Sequence, residues 1–295
     1  MPFNLTPEDL HKMKNSHFMP EFKNAEMLLA TYLTDANLVK EILPRPLMPT
    51  EVPMVHAFVA HYPETNFGCI YSEGALLLKC KFRREQGLYC LSMPVDDDMA
   101  MIGGRESYGY PKKIADQITL VKNDNHVTGS VIRKKKEILK IECELTEGLT
   151  PDFTKDFGDP VIDWNGASCF KVVMFLYKFF PSPGGTSFDY LPRLIREPVL
   201  FRKGGEILQG KGEVTVSSTP FDPLGEIIVN EVKSINYGKW NNTMLPGKVV
   251  GRTWNPLRFL KHSFFKTDYA PVILENYDSA NDKRAKEIIK AARSL

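Results

Sequence analysis

The chain has 295 residues, 43% hydrophobic and 25% charged, an ordinary globular composition that argues against intrinsic disorder. Its net charge is +2, from 38 basic and 36 acidic residues, so no strong field is available to hold nucleic acid or an anionic membrane surface. The five cysteines form an odd set without CxxC spacing and read as free buried thiols. With no signal-peptide core at the start and no apolar stretch of about 18 residues, the sequence predicts a soluble cytoplasmic protein.

In chain order, the first predicted helix begins at about Asp35, behind Thr34 as a candidate cap. It runs through Leu38, Val39, Ile42 and Leu43 until Pro44 stops it. Period-two alternation then dominates. Leu78, Cys80 and Phe82 alternate with Lys79, Lys81 and Arg83, and Leu139, Ile141, Cys143 and Leu145 alternate with Lys140, Glu142 and Glu144. Both stretches predict half-buried antiparallel strands. Turns are expected at residues 83–87, at residues 123–125, and at residues 210–212 before the alternation of Val214 and Val216. The basic run at residues 133–136 reads as a solvated hairpin turn.

A short helix is expected after the carboxylates of residues 96–98, ending at Gly103 and Gly104 and leaving the next residues in a loop. Residues 181–186 carry the richest loop signal elsewhere. Ala285, Ile288, Ile289, Ala292 and Leu295 fall at helical spacing, which predicts a C-terminal helix at about 279–295, docked on the rest of the chain or on a neighbouring subunit. No repeat or linker interrupts the pattern, so one mainly β unit over residues 1–295 is expected.

Residues 104–113 read Gly-Arg-Glu-Ser-Tyr-Gly-Tyr-Pro-Lys-Lys. Pro111 fixes its own φ and biases Tyr110 toward extended backbone, so the two lysines leave a stiffened segment. In an extended segment neighbouring side chains point to opposite faces, and only one of Lys112 and Lys113 can enter a given pocket. On spacing alone, adjacent lysines are most simply solvated surface charges.

This string resembles the active-site signature of the acetoacetate decarboxylase family, in which Gly-Arg-Glu and three variable residues lead to Tyr-Pro-Lys-Lys. Gly-Cys-Ile-Tyr-Ser-Glu-Gly at residues 68–74 resembles that family's Gly-Cys-Tyr-Thr-Glu-Ser-Gly segment, with the spacing changed by one residue. Residues 34–47, ending in Leu-Pro-Arg-Pro-Leu, resemble its N-terminal helix and the proline-rich segment after it. The resemblance implies a closed or cone-like antiparallel β barrel with a few peripheral helices, assembled into homo-oligomers and acting on a small β-keto acid. It implies Lys112 as the imine-forming amine and Glu73 as the catalytic glutamate, with Lys113 and Tyr110 in support. Arg105 and Glu106 read more simply as an ion pair holding the loop. One departure stands out: Ala25 falls where the compact family members carry an arginine. Lys23, two residues earlier, would share a strand face with Ala25 and could replace that cation.

The implied chemistry explains why a lysine is needed. A β-keto acid loses carbon dioxide when a protonated imine takes up the electrons left behind. The lysine must attack as the free amine, and at an ordinary pKa of about 10.4 only about one molecule in 2,500 is neutral at pH 7. Lowering that pKa by about three units needs roughly 4 kcal/mol against the ammonium, which a low-dielectric pocket can supply. A lysine perturbed in this way is already known for this family. Met99, Met101, Ile102 and Tyr110 are candidate pocket walls. No cofactor or metal is expected, since the six histidines lack paired ligand spacing and no nucleotide-binding motif is present. Two other functions stay open: a lysine-imine aldolase or dehydratase acting on keto acids such as pyruvate, and a ligand-binding barrel without turnover.

Overall fold

The computed structural model describes residues 3–146, 157–183, 187–263 and 266–292. The molecule is mainly β. Seven long strands close into a ring: β1 (Glu21–Leu33), β2 (Met54–Tyr62), β3 (Tyr71–Phe82), β4 (Glu85–Val95), and then, past strands outside the ring, β9 (Ser168–Lys178), β10 (Arg193–Val216) and β11 (Glu231–Met244). Around the ring the order is β9, β4, β3, β2, β1, β11, β10 and back to β9. Every contact is antiparallel except the parallel seam between β4 and β9. The far half of β10 leaves the ring and continues into β8 (Lys136–Thr146), β7 (His126–Arg133) and β6 (Gln117–Asn123). A three-residue strand, β5 (Lys112–Ile114), pairs in parallel with β4.

This wrapping gives the ring strands two buried faces, which is why several read as continuous apolar runs. Met27, Leu29, Phe58, Leu77, Met93 and Met174 pack inside the ring. Their neighbours Leu28, Ala30, Val55, Leu76, Leu78 and Phe175 join a second core that includes Val127, Val131, Leu139 and Ile141 from the β7–β8 layer. All five cysteines are free and buried.

Several elements differ from the sequence expectation. Helix α1 (Pro7–Asn15) has no counterpart among the expected elements, although Thr6 and Asp9 form a capping box around Pro7. Helix α2 (Ala36–Ile42) is capped by Asp35, whose side chain accepts from the Leu38 amide, rather than by Thr34. The expected turn forms at its first two residues, Arg83 and Arg84, with Arg83 at positive φ, so Gly87 falls inside β4. Gly210 and Gly212 lie within β10 and not in a turn; a Cβ on either would collide with the main chain of β8, so they permit close strand approach. The turn at residues 123–125 and the basic turn do form, with Asp124, Lys134 and Lys135 at positive φ. Arg133 itself, however, is buried.

After β11 come α4 (Pro256–Ser263), α5 (Tyr269–Glu275) and α6 (Ser279–Ala292). Phe259 of α4 packs into an aromatic group with Tyr177, Phe179 and Phe188. On α6, Ile288 is exposed, so this part of the expected apolar stripe is not covered by the chain. Residues 184–186 of the expected loop and 293–295 of the expected helix lie outside the described residues. No helix among the described residues is long and apolar enough to cross a membrane.

Candidate active site

The site is assembled on the β3–β4–β5 wall. Glu73 points inward from β3 on the same face as Tyr71 and Leu77, and Tyr62 is the cross-strand partner of Tyr71 on β2. Lys112 enters from β5, opposite Met93 of β4. Its amine donates to Glu73 Oε2 at 2.8 Å and approaches the Tyr71 hydroxyl at 3.5 Å. The Tyr62 hydroxyl donates to Glu73 Oε1 at 3.1 Å, and the Tyr71 hydroxyl lies 3.4 Å from Oε2. The amine also lies 5.0 Å from the ring centre of Tyr71 and 5.9 Å from that of Tyr110. Side-chain exposure is only 7% for Lys112 and 6% for Glu73. Burial, reinforced by the Glu73 charge, holds the phenols of Tyr62 and Tyr71 well above the ordinary tyrosine range, so both remain proton donors at neutral pH.

A cavity of about 260 Å³ opens onto this group, with Lys112, Glu73, Tyr62, Tyr71 and Tyr110 in its lining. Of the expected walls, Met99 and Tyr110 line it. Ile102 is instead exposed, and Met101 packs against the inner core without reaching the cavity.

The nucleophile segment is shaped differently from the expected loop. Helix α3 (Asp98–Gly103), capped by Asp97, continues directly into a wide π turn over Gly104–Tyr108. Gly109 ends the turn in the left-handed conformation at φ 95°. Arg105 does not act as the expected partner of Glu106, which is exposed. Its guanidinium donates to the Lys112 carbonyl at 2.7 Å and the Lys266 carbonyl at 2.8 Å. Lys112 and Lys113 take opposite faces of β5. The Lys113 amine joins a buried cluster behind the wall, bonding the Phe221 carbonyl at 2.7 Å and Asp222 at 3.1 Å, with Asp268 at 3.3 Å. Arg133 bridges the same two carboxylates. Burial lowers the Lys113 pKa, against the opposing pull of Asp222.

Lys23 does not reach the cavity as the substitute cation expected from the sequence. A bulge between Phe22 and Ala25, with Asn24 at φ 53°, shifts the strand parity. Phe22 therefore turns toward the cavity, while Lys23 pairs with Glu64 at 2.8 Å on the surface. Among the described residues lining the cavity, Lys112 is the sole cation.

Two residues near the site had no signature in the sequence. Glu197 of β10 shares the inner face with Ile195 and Val199 and is fully buried. Neither of its oxygens has a partner at full hydrogen-bond geometry, and the Tyr110 hydroxyl is the donor near enough to act on the carboxyl. Burial pushes its carboxyl up to about 8, opposed by Tyr110 and Lys112, so it is neutral at pH 7. Lys266 donates to the carbonyls of Gly109 at 3.2 Å and Tyr177 at 3.4 Å. Burial, with Arg105 nearby, lowers its amine to about 7. The chain beyond β11 thus ties down the back of the nucleophile segment, and its described residues contribute nothing to the cavity lining.

Fold and site together define a β-barrel protein with an enclosed lysine–carboxylate pair in its interior. The family model described as Acetoacetate decarboxylase (ADC) matches residues 1–253, and the chain belongs to that family. The acetoacetate decarboxylase of Burkholderia cenocepacia (strain HI2424) is 39% identical over 111 residues, covering 37% of this chain and 44% of the relative. The match therefore spans less than half the length of that curated relative. Among solved structures, the acetoacetate decarboxylase of Legionella pneumophila has a TM-score of 0.69 at 21% identity, over 81% of this chain and 89% of its own. The enduracididine biosynthesis enzyme MppR, complexed with the condensation product of pyruvate and imidazole 4-carboxaldehyde, has a TM-score of 0.61 at 18% identity, over 84% and 94%. These last two likenesses concern the fold.

Proposed function

We propose that this protein is a lysine-imine carboxy-lyase that converts acetoacetate or a related β-keto acid to a ketone and carbon dioxide. The reading is carried by one observation: an amine 2.8 Å from a carboxylate, both enclosed at the wall of an apolar cavity. Lys112 Nζ attacks the ketone carbon, Glu73 carries one proton from nitrogen to the carbinolamine oxygen, and a second proton, taken up from water through the same carboxyl, lets that oxygen leave as water and gives the protonated imine. The bond to the carboxylate carbon then breaks. Its electron pair moves into the protonated imine, giving a neutral enamine and carbon dioxide. Protonation of the enamine carbon and addition of water release the ketone and return the amine. Apolar walls favour this step because charge is neutralised within it, while fixed tyrosine hydroxyls replace water around the reacting groups.

A second reading keeps the imine but joins the enamine to an aldehyde, or dehydrates a keto acid. The absence of an arginine at Ala25 and the fold shared with MppR, solved with a pyruvate condensation product, favour keeping it in view.

The test is borohydride trapping with acetoacetate, then mass spectrometry of the peptides. A reduced adduct on the Lys112 peptide, absent from Lys112→Met, is expected; a folded protein that turns over acetoacetate without that adduct would overturn the assignment. Carbon dioxide release, measured against aldol product from pyruvate and an aldehyde, separates the two readings.

A further inference from the structure

The cavity holds more space, and more apolar surface, than acetoacetate can use. A cavity of about 150 Å³ is enough to take benzene, so about 260 Å³ leaves room for several carbons beyond acetoacetate, whose four carbons and three oxygens end in a single methyl group. The walls away from Lys112 are built from Met27, Phe58, Phe157, Met174, Phe201 and Met244. Phe201 and Met244 belong to β10 and β11, and β11 is three steps from β3 going one way around the ring and three steps from β4 going the other. The cavity therefore crosses the barrel from the Lys112–Glu73 wall to the opposite one. It reaches the surface where Phe18 and Met99, both about half exposed, join the lining.

The charges point the same way. Lys112 is the sole cation among the described lining residues, and imine formation consumes its free amine. No second cation is available there to hold the substrate carboxylate, because Lys23 faces outward and is paired with Glu64. Binding energy must then come from a part of the substrate remote from the reacting carbons, and the groups offered to it are aromatic rings and thioethers. Methionine and phenylalanine walls accommodate flexible or flat apolar groups without demanding polar partners.

Resting on the imine reading above, we infer that the substrate is a 3-oxo acid with an extended apolar acyl chain, the keto acid head at Lys112 and the chain lying across the barrel. The chain supplies the affinity that a carboxylate-binding cation would otherwise provide, and it expels water from the cavity before the carboxylate is cleaved. Acetoacetate is a truncated substrate that reacts at the same lysine with most of the apolar wall unused.

The test is a length series on the unmodified protein: 3-oxobutanoate, 3-oxohexanoate, 3-oxooctanoate and 3-oxodecanoate, read by ketone formation and by borohydride trapping at Lys112. From the transfer energy of a buried methylene, kcat/KM should rise roughly fourfold per added methylene until the cavity is filled. Met244→Trp, which fills the wall opposite Lys112, should move the optimum to shorter chains. An adduct at Lys112 with kcat/KM flat or falling from 3-oxobutanoate upward would overturn the chain-length inference and leave the imine reading intact. No adduct with any member would remove the imine reading instead. In that case, binding of the matching methyl ketones to the Lys112→Met protein decides the chain preference separately: tighter binding with length supports it, and equal binding overturns it.

Discussion

A Cβ placed on Gly104 would lie 2.8 Å from Cδ and 2.9 Å from Cε of Lys112. The first residue of the π turn thus leaves the channel through which the lysine stem reaches Glu73. Gly104→Ala should therefore preserve the fold but push the amine off its position. A misplacement of about 1 Å can cost about 100-fold in rate, so kcat should fall by about 10- to 100-fold. Borohydride adduct formation should slow in parallel, while the denaturation midpoint changes little. An unchanged kcat would mean that the lysine has another route to its partner.

How much of this was legible in the sequence depends on whether a residue's role is local. Lys112 and Glu73 sit in short strings with a recognisable order, and the opposite facing of Lys112 and Lys113 comes from strand geometry alone. Glu197 had no such mark: one glutamate in Leu-Ile-Arg-Glu-Pro-Val reads as an exposed strand position until the ring closes over both faces of β10. Lys266 is fixed by carbonyls at Gly109 and Tyr177, far away in sequence, so nothing near it announces burial. The Lys23 expectation failed because a β bulge shifts parity by one residue, and no alternation pattern records it.

Glu197 gives the protein a pH-dependent stability whose sign can be stated. Its carboxyl is pushed up to about 8 in the folded chain from an ordinary 4.5. Between these values the unfolded chain loses a proton that the folded chain keeps. Stability is therefore fully present below about 4.5 and is lost as pH rises toward about 8, by an amount on the order of a few kcal/mol. Lys266, lowered to about 7 from 10.5, acts in the other direction, gaining stability between those values. Glu197→Gln removes only the first contribution. Urea titrations at pH 5 and pH 9 should show the variant losing less stability between the two than the unmodified protein does; parallel losses would place the carboxyl in an ordinary environment.

Lys113 should matter to the fold rather than to the nucleophile. Its amine, Arg133 and Asp222 are buried together on the far side of β5 from Glu73, with the half-buried Asp268 bonded to both cations. Removing one partner from such a cluster costs about 3 kcal/mol, because Asp222 is left with less compensation. Lys113→Met should lower the melting temperature yet still form the borohydride adduct at Lys112, whereas Lys112→Met should abolish the adduct. Loss of the adduct in a folded Lys113→Met protein would place the second lysine in the chemistry.

Glu73 is the group whose replacement separates proton transfer from simple support. Glutamine keeps the length of the side chain and can still meet Tyr62, Tyr71 and Lys112, so packing in the wall is retained. It cannot carry a proton between the amine and the carbinolamine oxygen. General acid–base catalysis of this kind contributes about 10²- to 10⁴-fold, and Glu73→Gln should lose kcat within that range. Much of this loss should appear in slow formation of the trapped imine, with binding of a non-reactive ketone analogue changed far less. Equal losses in analogue binding and in kcat would make Glu73 a binding residue; a full rate of imine formation would assign the proton to one of the two tyrosines that flank it.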